Sequence, residues 1–91
     1  MKHTTLVYRG GREDGREEQN DEQLESINCV PSCHITSIGT VASLYVPKCY
    51  DKNKNAVIYE CGQPIPLTDA AQQAMKLNRP VKISDIPPVS P

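Results

Sequence analysis

Four cysteines and one histidine are the side chains of this sequence best suited to chemistry: Cys29, Cys33 with His34 beside it, Cys49 and Cys61. Thiolates and imidazoles are the usual ligands of tetrahedral zinc, and a zinc ion held by four of them contributes folding energy outright. The sequence therefore offers one structural zinc ion on Cys29, Cys33, Cys49 and Cys61, with His34 as a substitute ligand. Three residues separate the first pair and eleven the last, whereas the familiar zinc knuckle is C-x2-C. Buried thiols and disulfides thus stand beside zinc as readings of the same residues.

Cys33 next to His34 also invites a nucleophile-and-base reading. Neighbours on an extended strand point to opposite faces, and no acid is placed to orient either His34 or His3. No catalytic residue is assigned, and the chain is not expected to be an enzyme.

A second chemistry is electrostatic. Between Arg9 and Glu25 seven acids (Glu13, Asp14, Glu17, Glu18, Asp21, Glu22, Glu25) face three arginines, a local balance of −4. The whole chain carries −1, so the remainder is +3, too little for a dedicated nucleic-acid footprint. Arg9-Gly10-Gly11-Arg12 resembles a single Arg-Gly-Gly box, but the acids that follow would repel phosphate. The acidic run reads as a flexible loop at about 10–25, or as an arm that folds onto a basic groove in a partner. Pro88-Val89-Ser90-Pro91 is formally a P-x-x-P match, read as a frayed terminus.

The elements that would position these groups are few. Thr4 to Tyr8 suits a short strand, and a helix over about 17–26 would have only Leu24 and Ile27 to dock with. Pro31-Ser32 marks a turn. The β-prone run from Ile35 to Val46 is interrupted at Gly39, the place for a bulge or a gap between strands. The clearest signal is a hairpin over 44–61, two β-prone runs around Asp51-Lys52-Asn53-Lys54-Asn55, with Pro47 implying an edge or a bulge. That hairpin would set Cys49 opposite Cys61. Thr68-Asp69 starts a helix that Asn78-Arg79-Pro80 ends, with Leu67, Ala70, Ala71, Ala74 and Leu77 on one face. Val81 to Ile83 can form a last strand, and about 86–91 is an extended, proline-rich tail.

As a whole, 91 residues hold one small domain. With no Phe or Trp, the core is short of bulk, which argues for support from a metal, from disulfides or from a partner subunit such as a homodimer. No run approaches the ~20 apolar residues of a membrane span, and no secretory leader is visible, so a cytoplasmic protein is expected. The expected fold is α+β: a small antiparallel sheet of three to five strands around the 44–61 hairpin, with one helix at about 68–78 packed on it.

The expected function is that of a non-enzymatic interaction protein that binds and modulates, as an inhibitor would, a partner protein. Its working parts would be Glu13, Asp14, Glu17, Glu18, Asp21 and Glu22 with Lys48 and Tyr50 at the hairpin edge. The alternative is a zinc-braced module contacting nucleic acid through Lys48, Lys52, Lys54, Arg79 and Lys82. The short, motif-poor chain has the style of a protein encoded by a phage or other mobile element.

Overall fold

Leu6 and Tyr8 alternate with Thr5, Val7 and Arg9 along β1 (Thr5–Arg9), and the alternation turns the first pair into the core. In the computed structural model, which describes residues 3–89, Gly10 and Gly11 then take positive φ, 76° and 62°. That conformation suits glycine and folds the chain into a 3-10 turn at Gly11–Glu13. The chain returns as β2 (Glu17–Gln19), antiparallel to β1, and passes into one helical turn, α1 (Glu22–Glu25). Asp21 caps that turn by accepting a hydrogen bond from the Gln23 amide at 2.7 Å. Then come β3 (Cys29–Val30), β4 (His34–Ile38), β5 (Val41–Asp51), β6 (Ala56–Cys61), β7 (Ile65–Pro66), α2 (Leu67–Lys76), β8 (Val81–Lys82) and a second 3-10 turn, Ile83–Asp85.

The main sheet runs β2-β1-β6-β5-β4, with β7 paired to β5 beyond the end of β6. β1 and β6 are parallel, Thr5 opposite Ala56 through Arg9 opposite Glu60, and the other pairings in this sheet are antiparallel. The sheet curls into a half-barrel. β3 and β8 form a separate two-stranded ladder.

This overturns the expected small antiparallel sheet with a helix as its second layer. The sheet is mixed and larger, because β1 inserts beside β6 and the acidic segment supplies β2 instead of remaining a loop. The helix is also not the layer that makes the core. α2 lies on β5 and β7, near Leu44, Val46 and Ile65, while Tyr45 on the opposite face of β5 points into the curl.

The concave face carries the core: Leu6 and Tyr8 from β1, Tyr45 from β5, and Val57 and Tyr59 from β6. Val30 of the small ladder and Ile86 close it. Tyr8 is central, its ring centroid 5.2 Å from Tyr45 and 5.5 Å from Tyr59, distances at which aromatic pairs attract. The missing Phe and Trp bulk is thus replaced by three buried tyrosines. Their hydroxyls each need a partner, and each reaches a different loop or strand. Tyr8 donates to Glu18, Tyr45 to the Gly10 carbonyl at 2.6 Å, and Tyr59 to the Pro31 carbonyl at 2.5 Å. Burial pushes the phenols of Tyr8 and Tyr59 well above the ordinary tyrosine range, so both remain donors.

The 44–61 hairpin forms, closing at Asp51 opposite Ala56, with a register shift between Pro47 and Cys49. Closure at Asp51–Ala56 sets Cys49 opposite Ile58, and beyond the shift Cys61 lies opposite Tyr45, so the two cysteines do not face each other. The tail returns to the hairpin. The Tyr50 amide donates to the Pro87 carbonyl at 2.8 Å, and the Val89 amide to the Tyr50 carbonyl at 2.9 Å. Met1, Lys2, Ser90 and Pro91, which bear on the leader and P-x-x-P readings, lie outside the described residues. Among the described residues no helix is long and apolar enough to cross a membrane.

Candidate functional site

One end of the sheet is open, and its geometry follows from a single turn. Gly39 and Thr40 join β4 to β5 with positive φ at Gly39 alone (59°), as in a type II′ hairpin. Backbone groups in an antiparallel pair alternate between the two sides of a strand. The Thr40 carbonyl accepts from the Leu67 amide at 2.7 Å and so faces β7. Val41, Ser43 and Tyr45 therefore turn their amides and carbonyls toward β4, where they meet Ile38, Thr36 and His34. Ile35 and Ser37 are left with amide and carbonyl directed away from the sheet. Among the described residues neither finds a backbone partner there.

The flanks of this edge are apolar. Ile38 is 64% exposed and Val41 52%, high values for large aliphatic side chains on ordered strands. A groove of about 400 Å³ runs beside them, lined by Thr36, Ile38, Val41, Ala42, Pro64 and the Gly11-Arg12 turn. A second groove, of about 620 Å³, shares Val41 and Pro64 and continues along Leu67 and Ala71 of α2.

Behind the edge, an acid–histidine pair locks the first loop onto the sheet. With the proton on Nε2, His34 donates to Glu13 Oε2 at 2.9 Å, and the imidazole packs on Tyr8 with centroids 4.6 Å apart. Arg16 donates to Glu13 Oε1 at 2.7 Å and to Glu18 at 3.3 Å. Burial alone would push the Glu13 carboxyl up. The hydrogen bonds and charges of His34 and Arg16 outweigh it and hold Glu13 below the ordinary glutamate range. Gly11 packs so tightly that a Cβ there would overlap the Cys61 sulfur and sit 2.9 Å from the Tyr45 hydroxyl. Both partners in the acid–histidine pair are mostly covered, His34 at 27% and Glu13 at 17% exposure, so the pair reads as a clasp for the loop.

The residues singled out in the sequence are dispersed. Cys29 is buried on β3, Cys33 lies in the turn before β4, Cys49 follows the bulge in β5 and Cys61 ends β6. Among the described residues they form no group of three or more ligands. Of the acids, Glu13 and Glu18 are engaged internally, Asp21 caps α1, and Asp14 accepts from the Gly10 amide at 2.7 Å. Glu17 and Glu22 are exposed, Glu22 at 3.8 Å from His3. Lys48 is exposed at the bulge, whereas Tyr50 is half-buried and donates to Asn55 at 2.8 Å. Lys52 and Lys54 occupy the β5–β6 turn, Arg79 follows α2, and Lys82 lies on β8.

The open edge itself carried a signal in the sequence. From Asn28 to Pro47 no Asp, Glu, Lys or Arg occurs, in a chain of which 23% is charged. Edge strands are usually blunted by charge, and this run contains none.

Comparison with protein-family models, with curated proteins and with solved structures finds no match for the chain.

Proposed function

We propose that this is a non-enzymatic interaction protein that binds and modulates a partner protein by accepting an extended segment of it along β4. The observation that carries this reading is the edge of β4, uncharged and with the amides and carbonyls of Ile35 and Ser37 turned outward. An added strand gains affinity from those main-chain bonds and specificity from pockets for alternate side chains. The groove lined by Ile38, Val41 and Pro64 is placed to take one apolar side chain of that strand. The opposite edge, β2, carries Glu17 and Glu18 and is a poorer acceptor.

The acidic-arm version of partner binding has less support. Glu13 and Glu18 hold the protein's own loop, which leaves Asp14, Glu17, Asp21 and Glu22 to present charge.

The test is selection of a random peptide library on the immobilised full chain, with a Ser37→Pro variant as the counter-screen. Ser37→Pro removes one outward donor and no ladder bond. Enriched β-prone peptides that bind the natural chain and not the variant support the reading. No enrichment, or enrichment indifferent to Ser37→Pro, overturns it.

A further inference from the structure

We infer that the free protein closes this edge with a second copy of itself, β4 against β4, antiparallel, on a two-fold axis through Thr36. The inference rests on the reading of β4 as a strand-accepting edge and names the occupant that the edge itself fits.

Strand parity fixes the register. The outward-facing residues are Ile35 and Ser37, and they flank Thr36 symmetrically. Rotation by 180° about Thr36 brings Ile35 of one copy opposite Ser37 of the other, and Ser37 opposite Ile35. Each such pair exchanges two N–H···O=C bonds, so two pairs give four, and no outward group of Ile35 or Ser37 is left over. A slip of one residue sets outward groups against inward ones. A slip of two leaves unmatched groups at both ends.

Side chains agree with this register. Thr36 meets its own copy across the axis, in the close, non-hydrogen-bonded kind of pair where threonines associate favourably. His34 lies opposite Ile38 of the second copy, which covers part of an aliphatic side chain now 64% exposed. No Asp, Glu, Lys or Arg occurs from Asn28 to Pro47, so the two apposed strands themselves carry no like charges; Arg12 of the first loop lines the groove beside Thr36 and Ile38. On the inner side of the strand Glu13 already accepts a hydrogen bond from His34 Nε2. At the other end of the sheet, β2 against β2 would oppose glutamates, and β2 against β4 would be a head-to-tail contact that leaves one edge of each type open in a pair of copies. The symmetric β4 contact closes. Because it uses the groups a partner's strand would need, self-association and partner binding exclude each other.

The experiment is sedimentation velocity of the reduced full chain from about 1 µM to 1 mM, the span that separates weak from moderate association. Ser37→Pro and Ser37→Lys are run beside it, and Thr36→Cys is oxidised mildly and its cross-links mapped by mass. A dimer is expected, weakened by about tenfold or more in both Ser37 variants, because each removes or obstructs outward bonds in both copies. Thr36→Cys is expected to give a 36–36 link, since the facing Cα atoms would be close enough for a disulfide. A monomer throughout, or a dimer indifferent to Ser37 and linked only through the natural cysteines, overturns the inference. Circular dichroism matching the natural chain establishes that the variants fold, and the cross-link decides the matter if Ser37→Pro does not. A monomer that still selects peptides dependent on Ser37 sinks the homodimer and leaves strand addition standing. A homodimer that selects no peptide even when diluted to monomer does the reverse.

Discussion

Tyr59 illustrates how single side chains hold this protein together: its ring fills the core while its hydroxyl fastens the turn at Pro31. Tyr59→Phe keeps the ring and leaves the Pro31 carbonyl unpaired, so it should cost about 1–2 kcal/mol in urea unfolding. Gly11 is constrained twice, by φ of 62° and by Cys61 against the missing Cβ. Gly11→Ala should destabilise by about 2–4 kcal/mol, and Cys61→Ala should recover part of that loss in the double variant. Among the described residues Glu25 is the carboxylate with the most donors. Burial raises its pKa, but Asn20 and the Thr4 amide and hydroxyl outweigh this and bring it below the ordinary value of 4.5. A depressed carboxyl stabilises the fold above its unfolded pKa and loses that contribution as pH falls through the folded one. Unfolding free energy should therefore drop as pH falls below 4.5. Glu25→Ala should cost about 2 kcal/mol at pH 7 and flatten that acid limb, as urea titrations at pH 7 and pH 3.5 would report.

Among the elements, α2 depends on one small residue: Ala70 has no exposed surface and lets the helix lie close on β5 and β7. Ala70→Leu should therefore lower the thermal midpoint, at a cost of about 1–3 kcal/mol from overpacking, whereas Met75→Ala, at an exposed position, should change little. Elements whose signal is local were legible in the sequence. The hairpin over 44–61, the bulge near Pro47 and the helix, expected at about 68–78 and found at Leu67–Lys76, each rest on turn chemistry or on 3.6-residue spacing. β2 was not legible, because Glu17-Glu18-Gln19 has no strand propensity. It is a strand because Tyr8 captures Glu18 and because β1 presents a free edge to it. The acid–histidine clasp was equally hidden: Glu13 and His34 lie 21 residues apart, and only the pairing of β4 with β5 brings His34 beside the first loop.

For the molecule as a whole, the decisive pairing is also the least local. Nothing in the composition of Thr5–Arg9 or Ala56–Cys61 says that they run parallel, and an antiparallel sheet built from successive hairpins is the simpler reading of the same strands. The topology places β1 and β6 at the middle of the sheet, and amide exchange should be slowest there and in the β5 segment beside them. The two-residue strands of the β3–β8 ladder should open first. The parallel pairing also has a consequence for synthesis. β1 leaves the ribosome well before β6, and Leu6 and Tyr8 gain their central neighbour only when Ala56–Cys61 has been made. Until then β1 has β2 alone, a ribbon of a few residues too small to stand by itself. The nascent N-terminal half must therefore wait with its aromatic side chains uncovered, and the native sheet is completed in one late step.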